Sequence, residues 1–465
     1  MSIESLARRL PSQFHLGAAT SSYQIEGAVH DDGRGPSIWD TFSHAPGRVW
    51  NGDTGDVAVD HYHRMEQDVA LMADLGLHSY RFSVAWPRIV PDGDGRVEPR
   101  GLAFYRRLVD TLAQAGIEPV VTLYHWDLPQ ALQDRGGWVN RDTVDAFTRY
   151  AGIVHEELGD AVSLWTTLNE PWCSAFLGYG SGHHAPGITD PRSAFRAAHH
   201  LLLAHGDALA HMRAQGGEGH RYGFVPNLYG VVPASEDPAD RAAADTVDAL
   251  QNRLWLDATL LGRYPERVRE LMDRFDAASA VRDGDLERIA QPLDVLGVNY
   301  YSRHHVGAGT AEATFDTAYP GADGVEWHRP DLPTTAMGWT IEPDGLRDLL
   351  LRLSREWPVP PLLVCENGAA FTDDVVDDAG TVQDEDRRQF LEAHVTAVAE
   401  AVEQGADVIG YTAWSLLDNF EWAYGYAKRF GIVHVDYATQ RRTPKASAHW
   451  YRKLISAHTA VRGDR

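Results

Sequence analysis

Cysteine is nearly absent from this chain: Cys173 and Cys365 are the only two in 465 residues. Two thiols cannot build the disulfide framework of a small secreted scaffold, so a reducing cytoplasm is the simplest expected home. Cations are also short, 42 Lys and Arg against 66 Asp and Glu, for a formal net charge of −24 with His neutral. Nucleic acid and anionic membrane surfaces are bound by clustered Lys and Arg, so neither is expected as a partner. No apolar run reaches the ~18 residues that would suggest a membrane span. The opening Met1–Leu10 stretch lacks the apolar centre of a secretory signal. Internal repeats, low-complexity tracts and long Pro-, Gly- or Ser-rich linkers are missing too. A chain of this length would ordinarily suggest about three domains, but without linkers residues 1–465 read as one domain with long loops.

What the chain does contain is alternation. Short apolar runs at 13–17, 78–84, 118–124, 163–169, 222–226, 294–299, 361–366 and 408–415 read as eight strands. Segments with apolar residues at three- and four-residue steps lie between them, at 56–75, 102–115, 144–158, 194–212, 242–261, 346–357, 386–404 and 446–455. Several strands are apolar throughout, as parallel strands buried on both faces should be. Eight strand-then-helix units predict an α/β fold, a single (β/α)8 barrel with long loops at the C-terminal face of the strands. A doubly wound open sheet is the rival, but no Gly-rich phosphate turn follows the first strand. In a barrel, chemistry sits where the strands end. There lie Arg81 on the second strand, His125 after the third, and Asn169 and Glu170 after the fourth. Asn299 and Tyr301 follow the sixth, Glu366 ends the seventh, and Trp414 is near the end of the eighth. The stretches 303–340 and 417–443 read as long loops, the second carrying Glu421, Trp422, Tyr424 and Tyr426. Aromatic loops above a carboxylate rim suit a sugar, whose flat faces lie on rings while its hydroxyls take polar partners.

Glu170 and Glu366 are the residues on which function turns. Two carboxylates on one pocket are the minimum equipment for cleaving a glycosidic bond. A period of two along 361–366 sends Leu362, Val364 and Glu366 one way and Leu363 and Cys365 the other. This places Glu366 inward and Cys365 against the helices. Arg81 and the Tyr301 hydroxyl are best placed to keep Glu366 ionised, as a nucleophile requires. Glu170 needs the opposite state, and repulsion from Glu366 would keep it protonated. Asn169 and Glu170 are adjacent, so both can serve one site only if the strand ends there in a bulge or turn. Taken singly, Asn-Glu-Pro and Glu-Asn-Gly are ordinary turn sequences; their joint position at strand ends makes the catalytic reading the stronger. For the 14 Trp, core packing is the default, and Trp126, Trp138 and Trp165 are read as structural or undecided. Packing is also the expected role of both cysteines. The 22 His include the pairs His61/His63, His183/His184, His199/His200 and His304/His305, none with the helical i,i+4 spacing and neighbouring Glu of a metal site. No metal and no cofactor are expected.

The chain resembles glycoside hydrolase family 1, the β-glucosidases and their relatives, over nearly its whole length. Phe14 through Ala28 is similar to the family's N-terminal signature, departing at Leu16, and Leu362 through Gly368 to its nucleophile signature. Tyr80–Ser83, His125–Pro129, Asn169–Trp172, Asn299–Tyr301 and Trp414–Trp422 resemble further family blocks. The resemblance implies a retaining hydrolase with Glu170 as acid/base and Glu366 as nucleophile, supported by Arg81, Tyr301 and Asn169. It implies a sugar pocket of Gln24, His125, Asn169, Asn299, Glu421 and Trp422, with Trp414 as platform under the sugar and Tyr301, Trp339 and Phe430 around it. Trp172, Phe176, Leu177 and His184 would wall the aglycone side, with Trp339. A cis peptide at Trp414-Ser415 is implied as well. Myrosinase-like members replace the acid with Gln, and here Glu170 is intact. The 6-phospho-glycosidases usually carry Ser where Glu421 stands, and a carboxylate there would repel phosphate, so Lys428 alone does not point to a phosphosugar.

The expected activity is therefore a β-glucosidase acting on cello-oligosaccharides and aryl or alkyl β-glucosides, with β-galactosidase or β-fucosidase side activity. The partner is a small β-glycoside. The rival is a carbohydrate-binding barrel without turnover. Double displacement requires carboxyl groups ~5 Å apart. Natural substrate, linkage preference, glucose tolerance, transglycosylation and self-association are left open by the sequence.

Overall fold

The structure, a computed structural model, describes residues 2–217, 219–310, 317–372, 375–377 and 380–463. Eight parallel strands close on themselves: β1 (His15–Ala19), β2 (Ser79–Ser83), β3 (Glu118–Tyr124), β4 (Leu164–Asn169), β5 (Arg221–Val225), β6 (Val295–Asn299), β7 (Leu362–Asn367) and β8 (Val408–Trp414). Each pairs with its sequence neighbours, and β1 meets β8 in register from His15 with Gly410 to Ala19 with Trp414, which closes the ring. All eight expected strands are present, shifted by at most two residues at their ends. The (β/α)8 barrel is thus the fold.

The barrel holds two kinds of core. Around its outside, strand residues such as Phe82, Val121, Leu168, Val298, Leu362 and Val364 pack on the surrounding helices. Inside, Val120, Leu164, Val225, Val295, Leu363 and Cys365 form a separate apolar plug. Cys365 is therefore in the barrel interior, not against the helices. The cause is a register shift between Val364 and Glu366 in the β6–β7 pairing, matched by one on the β8 side. An extra residue at that point breaks the two-residue alternation, so Cys365 and Glu366 both face inward. Gly297 on β6 fits the same picture, since a Cβ there would lie 2.9 Å from the Cys365 sulfur. Gly368 is required for a similar reason: a Cβ would run into the Trp414 carbonyl oxygen.

Helices start where the sequence supplies caps. Asp190 accepts from the backbone of Arg192 and Ser193 to open the long helix Pro191–Gln215, with Pro at its first position. The segment expected as one helix over 242–261 is three pieces: Pro238–Asp248, a π-helical turn at Ala249–Arg253, and Leu254–Leu261. The π turn aims two amides outward. Gln251 Nε2 donates to the Asn227 carbonyl at 2.8 Å, and Asn252 bonds both backbone groups of Tyr229. They pin the strand-like segment that follows β5. The helix expected over 56–75 begins at His61, because Ala58 and Asp60 are left-handed.

The stretch after β6 is not plain loop. Arg303–Ala308 and Val325–His328 join Gly230–Pro233 in a three-stranded sheet beside the barrel. Residues 311–316 of that stretch lie outside the described residues. After β8, Val433–Asp436 and Arg441–Pro444 form a hairpin. The turn carrying Glu421 is anchored by a charge cluster centred on a fully buried pair. Lys445 Nζ donates to Asp418 Oδ1 at 2.8 Å, and both side chains are 0% exposed. Arg429 Nη1 reaches the other Asp418 oxygen at 2.7 Å. Removing one partner of such a group strands the other. Lys445→Met should therefore lower unfolding free energy in urea by about 3 kcal/mol; an unchanged midpoint and slope would show that this network does not hold the turn.

Candidate active site

A cavity of about 600 Å³ opens at the C-terminal ends of the strands. Glu366, at the end of β7, lines it. Arg81 Nη1 donates to Glu366 Oε1 at 2.7 Å, and the Tyr301 hydroxyl donates to Oε2 at 2.7 Å. Arg81 is 1% exposed and continues the network, its Nη2 reaching Asn169 Oδ1 at 2.7 Å. Because Arg81 can only donate, Asn169 must present its oxygen there and its Nδ2 to His125 Nε2, 3.0 Å away. His125 Nε2 is therefore an acceptor, and the ring is neutral with its proton on Nδ1. Burial and the Arg81 charge push the imidazole well below its ordinary value, in agreement. The Nδ1–H has no hydrogen-bond partner among the described residues.

Glu170 follows β4 directly. A register shift between Thr166 and Asn169 and a left-handed backbone at Glu170, φ 43°, turn both polar residues toward the site. Trp126 and Trp422, also at the rim, are left-handed as well. Such backbone at bulky residues is costly and is held by its surroundings. Here Glu170 N donates to the Val225 carbonyl at 2.8 Å, and Trp126 Nε1 to the Asn169 carbonyl at 2.9 Å. Asn299 Nδ2 donates to Asn169 Oδ1 at 3.0 Å and to Glu170 Oε1 at 2.8 Å. One continuous chain of contacts thus runs Glu366–Arg81–Asn169–Asn299–Glu170.

The carboxyls differ in what touches them. Burial pushes Glu170 up to about 8, with the Glu366 charge second; Asn299, the Cys173 thiol and Arg81 oppose only in part. Burial outweighs the like-charge repulsion expected to dominate. Burial also raises Glu366, despite Arg81, Tyr301 and Asn299, rather than leaving it low as expected. Yet Glu366 has a guanidinium at contact distance and Glu170 has none, so Glu366 is the first of the two to ionise. Glu421 is a third carboxyl facing the cavity, half-buried as a residue with its Oε2 shielded from solvent. Burial, then Glu366 and Glu170, push it up to about 8, and its Oε2 has no hydrogen-bond partner among the described residues.

Most other expected site residues surround this cavity. Trp414 and Trp422 lie nearly parallel to the His125 ring, at 16° and 18°. Trp339 and Phe430 pack on Tyr301, with Ala370 and Trp414 in one apolar patch. Trp172, Leu177 and His184 line the outer wall. Two expected residues sit behind the wall. Phe176 packs between Trp172, Phe195 and Trp255. Gln24 spends both amide hydrogens on Asn419 Oδ1 and the Phe420 carbonyl, and accepts from Ser21. It braces the Glu421 turn from beneath. The Trp414–Ser415 peptide is cis.

Sequence reasoning passed over several cavity residues, Phe42, Arg48 and Met337 among them. Trp126, left as undecided, lines the wall against Trp422 at 4.4 Å. Cys173, read as packing, donates from sulfur to Glu170 Oε2 at 3.3 Å. Asn227 and Tyr229, just past β5, also line it. Asn227 carried the signal that exposed Asn169, a polar amide at a strand end. Three of the four His pairs are occupied elsewhere, His61 bonding Asp68, His199 bonding Tyr264 and Asp285, and His304 bonding Tyr319, while His183 and His184 line the cavity. Lys428 Nζ donates to the Ala336 carbonyl at 2.6 Å.

Comparison with known proteins gives a consistent result. A family model described as "Glycosyl hydrolase family 1" matches residues 6–460. The chain is 52% identical to thermostable beta-glucosidase B of Thermobispora bispora, over 98% of this chain and 92% of that protein. It is 48% identical to a bifunctional beta-D-glucosidase/beta-D-fucosidase of Bifidobacterium breve, over 97% of this chain and 99% of that one. Among solved structures, it is similar to the psychrophilic beta-glucosidase of Micrococcus antarcticus, with TM-score 0.94 and 48% identity over 98% of this chain and 100% of that one. It is also similar to a Thermotoga maritima beta-glucosidase in complex with galacto-hydroximolactam, with TM-score 0.90 and 45% identity over 97% and 99%.

The raised carboxyls carry a stability consequence. A buried carboxyl with raised pKa keeps its proton where the unfolded chain has lost it, so stability falls as pH rises from the ordinary 4.5 to about 8. Glu421→Gln removes that loss. Relative to the parent it should be more stable by over ~1 kcal/mol above that window and nearly equal below it. Urea unfolding at the two ends checks this; a parent–variant difference independent of pH would contradict it.

Proposed function

The chain belongs to glycosyl hydrolase family 1, and on that premise we propose that it removes terminal β-D-glucosyl residues from the non-reducing ends of cello-oligosaccharides and from aryl and alkyl β-glucosides, retaining configuration. The observation that carries this reading is the pair of buried carboxyls facing one cavity, one gripped by a cation and the other not. Glu366, ionised beside Arg81 and Tyr301, attacks the anomeric carbon and forms a glycosyl ester. Glu170, protonated near neutral pH, gives its proton to the departing oxygen. Once Glu366 is esterified its charge is gone, so Glu170 becomes a stronger acid and can remain ionised. It then takes a proton from the water that cleaves the ester. The Asn299 amide donates to Glu170, and Asn169 and Arg81 link it on to Glu366, so both carboxyls are held by one network. Double displacement calls for carboxyls ~5 Å apart, inversion for ~6.5–9.5 Å with an intervening water.

The unpartnered groups suit a hydroxylated ligand. Glu421 Oε2 and the His125 Nδ1–H are an acceptor and a donor that the protein leaves unmatched, and Trp414 and Trp422 offer flat apolar faces for the sugar. Asn169 and Asn299 hold the two carboxyls in relation, while Trp172, Leu177, His184 and Trp339 wall the leaving-group side. The double name of the Bifidobacterium relative supports β-fucosidase activity beside β-glucosidase, and β-galactosidase activity follows if Glu421 reaches a 4-hydroxyl of either orientation. A carbohydrate-binding barrel without turnover is not favoured, since the relatives are enzymes. Among the described residues no helix is long and apolar enough to cross a membrane. Two buried free thiols support a cytoplasmic setting. The family match over 6–460 supports one catalytic domain.

Glu366→Ala should lose turnover of p-nitrophenyl β-glucoside by several orders of magnitude and regain part of it with added azide or formate. The first sugar released by the parent enzyme should be the β anomer by NMR. Release of the α anomer, or a fully active Glu366→Ala protein, would exclude the mechanism.

A further inference from the structure

Cys173 opens the π-helical segment Cys173–Gly180, three residues beyond Glu170. Its backbone N–H donates to the Glu170 carbonyl at 2.9 Å, which fixes the thiol's position relative to the carboxyl. The side chain is buried and borders the catalytic cavity. Two contacts orient it. Asn227 Nδ2 donates to the sulfur at 3.7 Å, and the sulfur lies 3.3 Å from Glu170 Oε2. An amide nitrogen can only donate, so the sulfur accepts on that side, and its one hydrogen is left for the carboxylate.

We propose that the Cys173 thiol is a positioning residue that sets how readily Glu170 takes up and releases its proton. Each oxygen of Glu170 has one neutral donor, Asn299 on Oε1 and Cys173 on Oε2. The Asn299 Nδ2 has no lone pair to offer, so Oε1 stays an acceptor whatever the charge state. The proton therefore enters and leaves at Oε2. When it enters, the thiol must turn its hydrogen away and present sulfur as acceptor. A thiol makes weak bonds in either direction, so the exchange costs little. A hydroxyl would donate more strongly and hold Glu170 ionised, while a methyl group would offer nothing. The acid/base residue thus has a partner that follows its charge through the cycle instead of locking one state.

The other groups acting on Glu170 are Glu366 on β7, Arg81 on β2, Glu421 on the turn after β8, and Tyr301 and Tyr229 on the segments after β6 and β5. All of them stay in place in substitutions at 173, so opposite changes there isolate the thiol. The proposal rests on Glu170 being the acid/base. The alkaline limb of kcat/KM for an aryl β-glucoside then reports its loss of the proton. Cys173→Ala removes a donor to the carboxylate and should move that limb up by about half a pH unit, while Cys173→Ser supplies a stronger donor and should move it down by about as much. Shifts of the same sign, or no shift with only a lower kcat, overturn the proposal. A second readout needs no substitution at 173. The infrared S–H stretch of the parent enzyme should change as Glu170 titrates, and the change should vanish in Glu170→Gln. A band indifferent to pH in the parent overturns the proposal even if both variants fail to fold. Azide rescue of Glu170→Ala with an activated aryl glucoside tests the acid/base assignment itself, so a failure of that reading is told apart from a failure at the thiol.

Discussion

The site depends on a single buried cation. Three carboxyls face one cavity, and Arg81, on the second strand and inside the barrel, donates to Glu366 alone among them. Burying an ion is expensive unless it is paired and hydrogen-bonded. Arg81 meets that condition by giving one nitrogen to Glu366 and another to Asn169. The cation is thereby committed to one member of the carboxyl pair. Glu170 and Glu421 are left to hold protons at pH values where exposed glutamates would have lost them. The difference between nucleophile and acid is therefore one of placement, not of residue type.

The barrel supplies that placement by breaking its own rules at the strand ends. A regular strand would send Asn169 and Glu170 to opposite faces, and Cys365 and Glu366 likewise. The register shifts on β4 and β7 and the left-handed Glu170 bring each pair round to the interior. The residues below the bulges remain ordinary: Val120, Leu164, Val295 and Leu363 plug the barrel. The strained part thus stands on a rigid part, which is how costly backbone persists at a site. Beyond β8 the same division holds. The Asp418–Lys445–Arg429 cluster and Gln24 are buried supports, and Glu421 above them keeps an oxygen free.

How much of this could be read from the chain follows from the range of each interaction. Strand and helix identities are local, and all eight strands were legible from apolar runs. The convergence of Arg81, Asn169, Asn299, Tyr301 and Glu366 was legible because a closed barrel puts all strand ends on one rim. Cys365 was misplaced because a bulge depends on pairing register with β6 and β8, which a single strand does not display. Gln24 has the chemistry of a sugar ligand, but Asn419 and Phe420, far along the chain, take its amide hydrogens. The sheet formed by 230–233, 303–308 and 325–328 escaped notice because its strands are short and separated by long intervals. Trp126 was hidden by abundance: among fourteen tryptophans, nothing local marks the one whose N–H holds the Asn169 carbonyl.

The cavity's charge also argues for the kind of molecule it accepts. Around the three carboxyls the Arg81 guanidinium is committed to Glu366, so that part of the cavity offers an anion no net attraction. Lys428, the one lysine whose sequence position suggested a phosphate partner, is tied to the Ala336 carbonyl and lies over the Tyr424 ring. An anionic sugar would enter against the charge on Glu366, while Arg48, farther along the lining, donates to the Gly182 carbonyl and lies over the Phe42 ring. A neutral sugar meets none of that repulsion. Its hydroxyls can donate to the open Glu421 oxygen and accept from His125, and its apolar face can lie on Trp414. Binding a neutral ring also leaves the proton balance of the three carboxyls nearly as it was in the empty cavity. Glu170 therefore arrives at the reaction still protonated, and the charge that changes first is the one on Glu366.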